Sequence, residues 1–224
     1  MKSYVIFDMD GVIIDSESWY MNQLNEFLYL QGYSIPKNEL IETMGLDING
    51  IFKKLEKYIT ADQDEIQYLF EKYLLRIQSP NYQQIVFPHV QKCIENIFQK
   101  NIDIIIASSS PREIIEEVLV ELNINSYISF FLGREDVQYT KPNPEVYLSV
   151  LKHQKGRKPL YVVEDSTFGI QAAKRAGLKV IAYHSGKFQI DQSESDFIIT
   201  DHMQILDIIT GGDNYDKRRT SKNV

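Results

Sequence analysis

The spacing of apolar positions changes twice along this chain, and the changes divide it into three parts. Residues 4–7 form a short continuous apolar run, which has the length and composition of a buried strand. From residue 16 to about residue 85, apolar and aromatic residues recur three or four positions apart, a spacing that predicts helices. From residue 87 onward, continuous apolar runs alternate with helix-spaced segments, as expected for parallel strands connected by helices.

The bounds of the predicted elements follow from this spacing and from the residues that interrupt it. In the middle part, helices are predicted for 19–30, 38–44, 49–59 and 62–78. In the last part, strands are predicted for 102–107, 130–132, 160–163, 180–183 and 197–199. The helices between them are predicted for 89–100, 144–152, 169–176 and 202–209. Ser110 is expected to cap one further helix, with Pro111 in its first turn and Glu113 at the capping-box position.

Strands that alternate with helices predict a doubly wound, Rossmann-like α/β core, in which a parallel sheet is covered on both faces. We expect this core to comprise residues 1–15 and 86–210. An all-helical cap, residues 16–85, is expected to be inserted into it. Residues 211–224 form a polar tail that we expect to be disordered.

Charge and composition narrow the classes of protein to which the chain can belong. Its 31 acidic and 24 basic residues give a net charge of −7, which argues against nucleic-acid binding. Cys93 is the single cysteine, so no intrachain disulfide can form, and its apolar neighbours at helical spacing indicate a core position. No apolar run is long enough for a signal sequence or a membrane span. We therefore expect a cytoplasmic protein that does not bind membranes and is monomeric or weakly homo-oligomeric.

The first apolar run ends on two carboxylates, Asp8 and Asp10, which are followed by Gly11. Alternate residues of an extended segment face the same side, so both carboxylates can point into one small volume. Such like charges repel each other unless a cation lies between them or one carboxylate is protonated. The same residues are also compatible with a simple turn, because aspartate and glycine are common in turns.

Polar residues follow other predicted elements: Ser108 and the pair Glu164 and Asp165 follow strands, and Lys141 lies in a loop. The carboxyl ends of parallel strands form the ligand-binding edge of an open sheet, so we expect these side chains to converge there. Carboxylate oxygens are suitable ligands for Mg²⁺. The hydroxyl group, the ammonium group and the backbone N–H groups of residues 109–112 at a helix N-terminus suit a phosphate group. The combination predicts phosphoryl transfer.

Three assignments stay open at this point. Ser109 or Ser110 could take the role of Ser108. Asp165 could bind the metal alone, with Glu164 near the site but not in contact with the metal. Asp15 is expected to organise the hinge to the cap or to cap the next helix, rather than to take part in the chemistry.

Four segments together resemble the four motifs of the haloacid dehalogenase superfamily of phosphotransferases. The segments are Asp8-Met9-Asp10-Gly11-Val12, Ser108, Lys141-Pro142-Asn143-Pro144 and Glu164-Asp165-Ser166. They occur in the order typical of that superfamily, and the resemblance spans residues 3–185. The helical insertion soon after the first motif is similar to that of the branch containing β-phosphoglucomutase and sugar-phosphate phosphatases.

The resemblance implies a role for each of these residues. Asp8 would be the nucleophile that forms an aspartyl phosphate, and Asp10 would be the general acid and base. The residues implied to bind the phosphoryl group are Ser108, Ser109 and Lys141. The implied ligands of a Mg²⁺ cofactor are Asp8, Asp10 through its backbone carbonyl, Glu164 and Asp165.

Two positions of the predicted cap bear on the choice between a phosphatase and a mutase. Tyr20 stands where the β-phosphoglucomutase group has a histidine that assists the general acid and base, and Ile48 stands where that group has an arginine for a second phosphate. The tract of residues 15–19 also looks closer to that of the phosphatases. We therefore expect hydrolysis of a small phosphorylated metabolite such as a sugar phosphate, with isomerisation of a sugar phosphate as the alternative. A receiver-like signalling domain or a non-catalytic phosphate-binding protein is a more remote alternative, because receiver domains lack a helical insertion after the first strand.

Overall fold

A computed structural model of the chain describes residues 2–43, 46, 48–59 and 62–211. The predicted tail lies outside these residues except for Gly211, as do positions 44, 45, 47, 60 and 61 of the predicted cap. Within the described residues, no helix is long and apolar enough to cross a membrane.

The structure divides the chain into two compact units. One is formed by Met1–Asp15 with Tyr82–Val224, and the other by Ser16–Asn81. Residues 82–85, which the sequence division placed in the cap, therefore belong to the first unit.

The first unit contains a six-stranded sheet in which every neighbouring pair of strands is parallel. The strands are β1 Tyr4–Phe7, β2 Asp103–Ala107, β3 Ile128–Leu132, β4 Pro159–Glu164, β5 Val180–Tyr183 and β6 Phe197–Ile199. Their spatial order is β3-β2-β1-β4-β5-β6, so the direction of strand succession reverses between β1 and β4. This order confirms the predicted doubly wound α/β fold, and it makes the carboxyl ends of β1 and β4 the expected place for a ligand.

The second unit is helical in its described residues. Its α-helices are α1 Ser16–Leu30, α2 Lys37–Ile41, α3 Ile48–Leu55 and α4 Gln63–Arg76. The Asp62 side chain accepts a hydrogen bond from the backbone N–H of Glu65 and thereby caps α4. Leu24, Phe27 and Leu28 of α1 are buried in the core of this unit. Helical spacing of apolar residues therefore identified these elements correctly.

The remaining α-helices belong to the first unit. They are α5 Tyr82–Ile85, α6 Val90–Gln99, α7 Arg112–Glu121, α8 Glu145–His153, α9 Thr167–Arg175 and α10 Gln204–Gly211. The side chains of β1 alternate between two buried clusters: Val5 and Phe7 lie in one, and Tyr4 and Ile6 in the other. The sheet is therefore covered on both faces, and burial of each large apolar side chain contributes about 1.5–3 kcal/mol.

Cys93 of α6 lies in the first of these clusters and is fully buried, as predicted. Its thiol donates a hydrogen bond of 3.1 Å to the backbone carbonyl of His202. Burial raises the pKa of the Cys93 thiol to about 12, so the side chain is a core residue rather than a nucleophile.

Candidate active site

The carboxyl ends of β1 and β4 bring the first and last predicted motifs together. Phe7 of β1 is in register with Val163 of β4, and the backbone N–H of Asp8 donates to the Val163 carbonyl at 2.9 Å. Asp8 and Glu164, each one residue further along, therefore lie side by side at the edge of the sheet. Apolar runs end abruptly on acids in both strands, so the sequence that builds the sheet also positions these carboxylates.

Three of the predicted carboxylates form one group. Asp8, Glu164 and Asp165 each offer one oxygen atom, and these atoms lie within 4.8 Å of one another. The Nζ atom of Lys141 lies 2.6 Å from Oδ1 of Asp8 and 2.7 Å from Oε1 of Glu164. It also donates a hydrogen bond of 3.2 Å to the carbonyl of Ala107 at the end of β2. Residues from three predicted motifs thus meet at one point, although up to 157 positions separate them in the sequence.

Burial and charge determine the ionisation of this group. Burial raises the pKa of Asp8 to about 8. The Lys141 ammonium group opposes this shift, and the carboxylates of Glu164 and Asp10 add to it. Burial lowers the pKa of Lys141, but the attraction of Asp8 and Glu164 outweighs that effect and leaves the pKa well above its ordinary value. Lys141 therefore stays protonated beside Asp8 and Glu164.

Glu164 is fully buried, and both of its carboxylate oxygens accept hydrogen bonds. Oε1 accepts from the Tyr147 hydroxyl at 2.7 Å in addition to Lys141. Oε2 accepts from the backbone N–H groups of Asp165 and Ser166 at 3.0 and 3.3 Å, and from the Ser166 hydroxyl at 3.2 Å. These five donors fix the orientation of the carboxylate and fill the roughly four lone-pair sites of its two oxygens, so a bound metal would have to replace one of them.

Gly11 makes room for the side chain of Asp165. Its φ of +75° lies in the left-handed region that favours glycine. A Cβ atom at this position would lie 2.0 Å from Oδ2 of Asp165, far inside van der Waals contact. Any larger residue would therefore displace a member of the carboxylate group.

Asp10 turns its carboxylate to the loop that follows β2. Its Oδ2 atom accepts hydrogen bonds from the Ser108 hydroxyl at 3.3 Å and from the Ser110 hydroxyl at 2.6 Å. Among the described residues, the group of metal-compatible carboxylates comprises Asp8, Glu164 and Asp165 and leaves out the Asp10 side chain. Asp10 is thus held next to the group but separately from it.

The prediction that Ser110 caps α7 is wrong. Pro111 occupies the N-cap position, and no side chain there makes a capping hydrogen bond. The helix begins one residue later than predicted, and the Ser110 side chain points to Asp10, 100 positions earlier in the sequence, to which its hydroxyl donates a hydrogen bond. The capping-box pattern is local and carries no information about this distant acceptor.

The loop after β2 also offers fewer phosphate donors than the sequence analysis expected. The N–H of Ser110 donates to Oγ of Ser108 at 3.0 Å, and the N–H of Arg112 donates to Glu135 at 3.0 Å. Pro111 has no N–H group to donate. Ser109 is exposed, and its side chain remains a candidate phosphate ligand.

Two buried polar side chains that the sequence analysis did not single out support this group. Tyr147 of α8 donates to Glu164, as described above. Gln192 donates through Nε2 to the backbone carbonyls of Asp165 at 2.6 Å and Tyr183 at 2.9 Å. A buried tyrosine usually needs a partner for its hydroxyl, so the helical burial pattern of α8 held a signal for Tyr147. The sequence around Gln192 holds no comparable signal.

The other expected positions have separate roles. Asp15 forms an ion pair with Lys187. Tyr20 lies on α1, where its side chain is exposed. Ile48 begins α3, but its side chain lies outside what the structure describes.

The chemistry of the donor set fits a hard divalent cation. Carboxylate oxygens are the preferred ligands of Mg²⁺, and a cation would relieve the repulsion among three close carboxylates. Asp8 and Asp165 would hold it together with Glu164. The backbone carbonyl of Asp10, which the family resemblance implies as a ligand, stays a prediction.

Known proteins resemble this chain along most of its length. Phosphorylated carbohydrates phosphatase of Thermotoga maritima is 29% identical over 183 residues, which cover 79% of this chain and 82% of the relative. Hexitol phosphatase B of Escherichia coli is 29% identical over 190 residues, which cover 83% and 85% of the two chains.

The fold is shared with solved structures. A Thermotoga maritima protein provisionally named a β-phosphoglucomutase superposes with a TM-score of 0.72 at 24% identity, covering 94% of this chain and 99% of that one. This likeness concerns the fold. The sequence model of the haloacid dehalogenase-like hydrolases matches residues 5–183, which include all four motifs described above. The chain belongs to the haloacid dehalogenase-like hydrolase family.

Proposed function

We propose that this haloacid dehalogenase-type phosphatase hydrolyses phosphomonoesters of small metabolites through an aspartyl phosphate on Asp8, with Mg²⁺ as cofactor. The observation that carries the proposal is the position of Asp8 at the end of β1, within one carboxylate group and 2.6 Å from the Lys141 ammonium. A nucleophilic carboxylate, a cation site and a fixed ammonium group are the parts that phosphoryl transfer requires.

Asp8 begins the reaction as the nucleophile. One of its carboxylate oxygens attacks phosphorus, and the bond between phosphorus and the alcohol oxygen of the substrate breaks. A water molecule then attacks the phosphorus of the aspartyl phosphate. This second step breaks the bond to Asp8 and yields inorganic phosphate and the free carboxylate.

Asp10 handles the protons in both steps. It donates a proton to the departing alcohol oxygen and later accepts one from the attacking water, so its ionisation state is restored after each turnover. Its position two residues after Asp8 brings it close to both oxygens. The Ser110 hydroxyl orients its carboxylate, whereas Ser108, whose contact with Asp10 is longer, can turn its single hydroxyl hydrogen to the phosphoryl group.

Lys141 and the metal site reduce the repulsion between the nucleophile and the phosphate. The buried ammonium group of Lys141 lies beside Asp8, where it can contact the transferring phosphoryl oxygens together with Ser108 and the exposed Ser109. When bound by Asp8, Glu164, Asp165 and the Asp10 carbonyl, Mg²⁺ would shield the negative charges of both reactants.

The substrate is proposed to be a phosphorylated sugar or sugar alcohol. This choice is supported by the names of two relatives that align with about four-fifths of this chain, a phosphatase of phosphorylated carbohydrates and a hexitol phosphatase. Hydrolysis is favoured over mutase action because Tyr20 and Ile48 replace the histidine and arginine of the β-phosphoglucomutase group.

One experiment tests the reaction and the nucleophile together. The purified protein is supplied with Mg²⁺ and a panel of sugar and sugar-alcohol phosphates, and both phosphate release and isomerised product are measured. We expect stoichiometric phosphate release from at least one of these substrates, and a decrease of about a thousandfold or more in kcat for Asp8→Asn. Asp207→Asn, the same change at an exposed residue of α10, is the matched control.

Two outcomes would contradict the proposal. An Asp8→Asn variant as active as Asp207→Asn would reject the nucleophile. Formation of an isomerised sugar phosphate from β-glucose 1-phosphate and a bisphosphate primer, without matching release of phosphate, would identify a mutase instead.

A further inference from the structure

We propose that Tyr147 is a positioning residue for the cation site, in which its hydroxyl fixes the Glu164 carboxylate and its ring supports the Lys141 ammonium. This inference rests on the proposed function, because it concerns the same group of carboxylates. It goes beyond that proposal by assigning a role to a side chain in the helix behind the site.

The first observation is that Tyr147 contacts both members of a buried ion pair. Its hydroxyl donates to Oε1 of Glu164 at 2.7 Å, and the Lys141 ammonium lies 2.7 Å from the same oxygen. The Nζ atom of Lys141 also lies 5.2 Å from the centre of the Tyr147 ring, within the range of a cation–π interaction. Tyr147 and Glu164 are both fully buried, so water does not compete for these contacts.

The second observation is that the two oxygens of Glu164 are held from opposite sides. Oε2 is fixed by Asp165 and Ser166, which are its immediate neighbours in the chain. Within the part of the chain that the structure describes, the donors to Oε1 are Lys141 and Tyr147, which come from elsewhere in the fold. Lys141 also binds Asp8, so its ammonium group can move when the Asp8 carboxylate moves. Tyr147 is held in the buried face of α8 and therefore gives Oε1 a fixed donor.

Loss of the hydroxyl should therefore loosen the metal ligand rather than the fold. Groups that hydrogen-bond to metal-binding carboxylates commonly change metal affinity or activity by 10- to 100-fold when they are removed. We expect Tyr147→Phe to raise the Kd for Mg²⁺ about tenfold, because the ring and its contact with Lys141 are kept while Oε1 of Glu164 loses one of its donors.

Tyr4 provides a closely matched control. It is fully buried in the same cluster as Tyr147, and a cation, the Arg157 guanidinium, lies 5.5 Å from the centre of its ring. In the described part of the chain, however, the Tyr4 hydroxyl has no hydrogen-bond partner. Tyr4→Phe thus removes an equally buried hydroxyl that fixes no carboxylate.

The experiment measures Mg²⁺ binding to substrate-free wild type, Tyr147→Phe and Tyr4→Phe by isothermal titration calorimetry, and kcat and KM for p-nitrophenyl phosphate at saturating Mg²⁺. We expect a Kd for Mg²⁺ about tenfold higher in Tyr147→Phe and unchanged in Tyr4→Phe, with substrate KM unchanged in both. A Kd for Tyr147→Phe within twofold of that for Tyr4→Phe would overturn the inference.

A second variant separates the inference from a general loss of packing. In a Glu164→Gln background, Tyr147→Phe should change the Kd for Mg²⁺ by less than twofold, because the carboxylate through which it acts is absent. An undiminished tenfold effect in that background would reject the role of Glu164. If the wild-type protein showed no Mg²⁺-dependent hydrolysis, the proposed function would be rejected. If the wild-type protein were active but Tyr147→Phe and Tyr4→Phe had the same Kd for Mg²⁺, only the inference about Tyr147 would be rejected.

Discussion

The Ser110 hydroxyl lies 2.6 Å from Oδ2 of Asp10, and this hydrogen bond joins the loop after β2 to the turn after β1. Ser108 donates to the same oxygen at the longer distance of 3.3 Å. Because Asp10 is the proposed proton donor and acceptor, the shorter bond sets the orientation on which proton transfer depends.

We predict that Ser110→Ala lowers kcat about tenfold, because a hydrogen bond to a charged group contributes about 1.5–3 kcal/mol and only part of it should be expressed in the transition state. KM should change little, since the proposed role of Ser110 concerns Asp10 rather than the phosphate. Steady-state kinetics with p-nitrophenyl phosphate measures both constants.

Two further variants test this prediction. Ser110→Thr keeps a hydroxyl group and should retain most of the activity. Ser129→Ala removes a serine hydroxyl that donates to the Ile104 carbonyl at 3.0 Å, away from the carboxylate group, and should leave kcat unchanged. The assignment fails if Ser110→Ala behaves like Ser129→Ala.

The sequence predicted those parts of the site that depend on local pattern. Asp8, Glu164 and Asp165 follow apolar runs directly, and parallel strands bring such ends to one edge of the sheet. Their convergence could be predicted without knowing the strand order. The same reasoning applied to Cys93, whose neighbours at helical spacing marked it as a core residue.

The parts of the site that the sequence did not predict depend on partners far away in the chain. Ser110 has the local features of a helix cap, yet its acceptor is 100 residues earlier. The Gln192 amide joins the ends of β4 and β5, a role that exists only once the two strands lie side by side. Periodicity and capping patterns are local, so they cannot predict hydrogen-bond partners that only tertiary structure brings together.

A second prediction concerns Gly169 in α9, where a Cβ atom would lie 1.8 Å from Oε1 of Glu164. We expect Gly169→Ala to lower the free energy of unfolding by about 1–3 kcal/mol, as is typical of an overpacked core. We also expect weaker Mg²⁺ binding, because the Glu164 carboxylate must move. Urea unfolding and calorimetric titration with Mg²⁺ measure these two effects.

Gly211→Ala is the control for this substitution. Gly211 also lies in a helix, α10, but a Cβ atom there would meet nothing within 4 Å among the residues that the structure describes. Alanine at this position should leave stability and Mg²⁺ binding unchanged or slightly increase stability. Equal effects of the two substitutions would show that Gly169 is not required by contact with Glu164.

A third prediction concerns the pH dependence of stability and follows from His202. The side chain is fully buried, and its Nε2 atom lies 2.7 Å from the Val12 carbonyl oxygen. Because a carbonyl oxygen can only accept a hydrogen bond, Nε2 carries the proton. Burial lowers the pKa of His202 to about 4, although Val12 and Asp201 act in the opposite direction. The folded protein therefore binds this proton less readily than the unfolded chain, whose histidine keeps the ordinary pKa of 6.5.

The sign of the effect follows from this difference. Above pH 6.5 the histidine is neutral in both states, and as the pH falls from 6.5 towards 4 the unfolded chain gains a proton that the folded protein excludes. The free energy of unfolding should therefore decrease on acidification by up to about 3 kcal/mol from this residue. His202→Gln keeps an N–H donor but does not titrate, so urea unfolding between pH 7 and 5 should show a shallower dependence than in wild type. Identical slopes in the two proteins would exclude His202 as a source of the acid sensitivity.

The fourth prediction concerns the metal, and it can be checked without a substrate. Asp8, Glu164 and Asp165 place three carboxylates within 4.8 Å, and their repulsion is relieved by any divalent oxygen-seeking cation that fits between them. A ligand that binds only the folded state stabilises it by about 2.7 kcal/mol at a concentration one hundred times its Kd. We therefore expect Mg²⁺ to raise the Tm of the EDTA-treated protein, and the same treatment to abolish phosphate release until Mg²⁺ is restored.

The matched pair for this test is Asp165→Asn and Asp207→Asn. Asp165 belongs to the carboxylate group, whereas Asp207 is an exposed residue of α10. Because an amide lacks the charge that attracts the cation, Asp165→Asn should reduce the rise in Tm on addition of Mg²⁺. The same substitution removes one source of repulsion, so it should raise the Tm measured without metal. Asp207→Asn should behave like wild type in both measurements. If Mg²⁺ raised the Tm of Asp165→Asn as much as that of Asp207→Asn, the cation would have to bind elsewhere. Hydrolysis that persisted in EDTA would show that the reaction does not need a divalent cation.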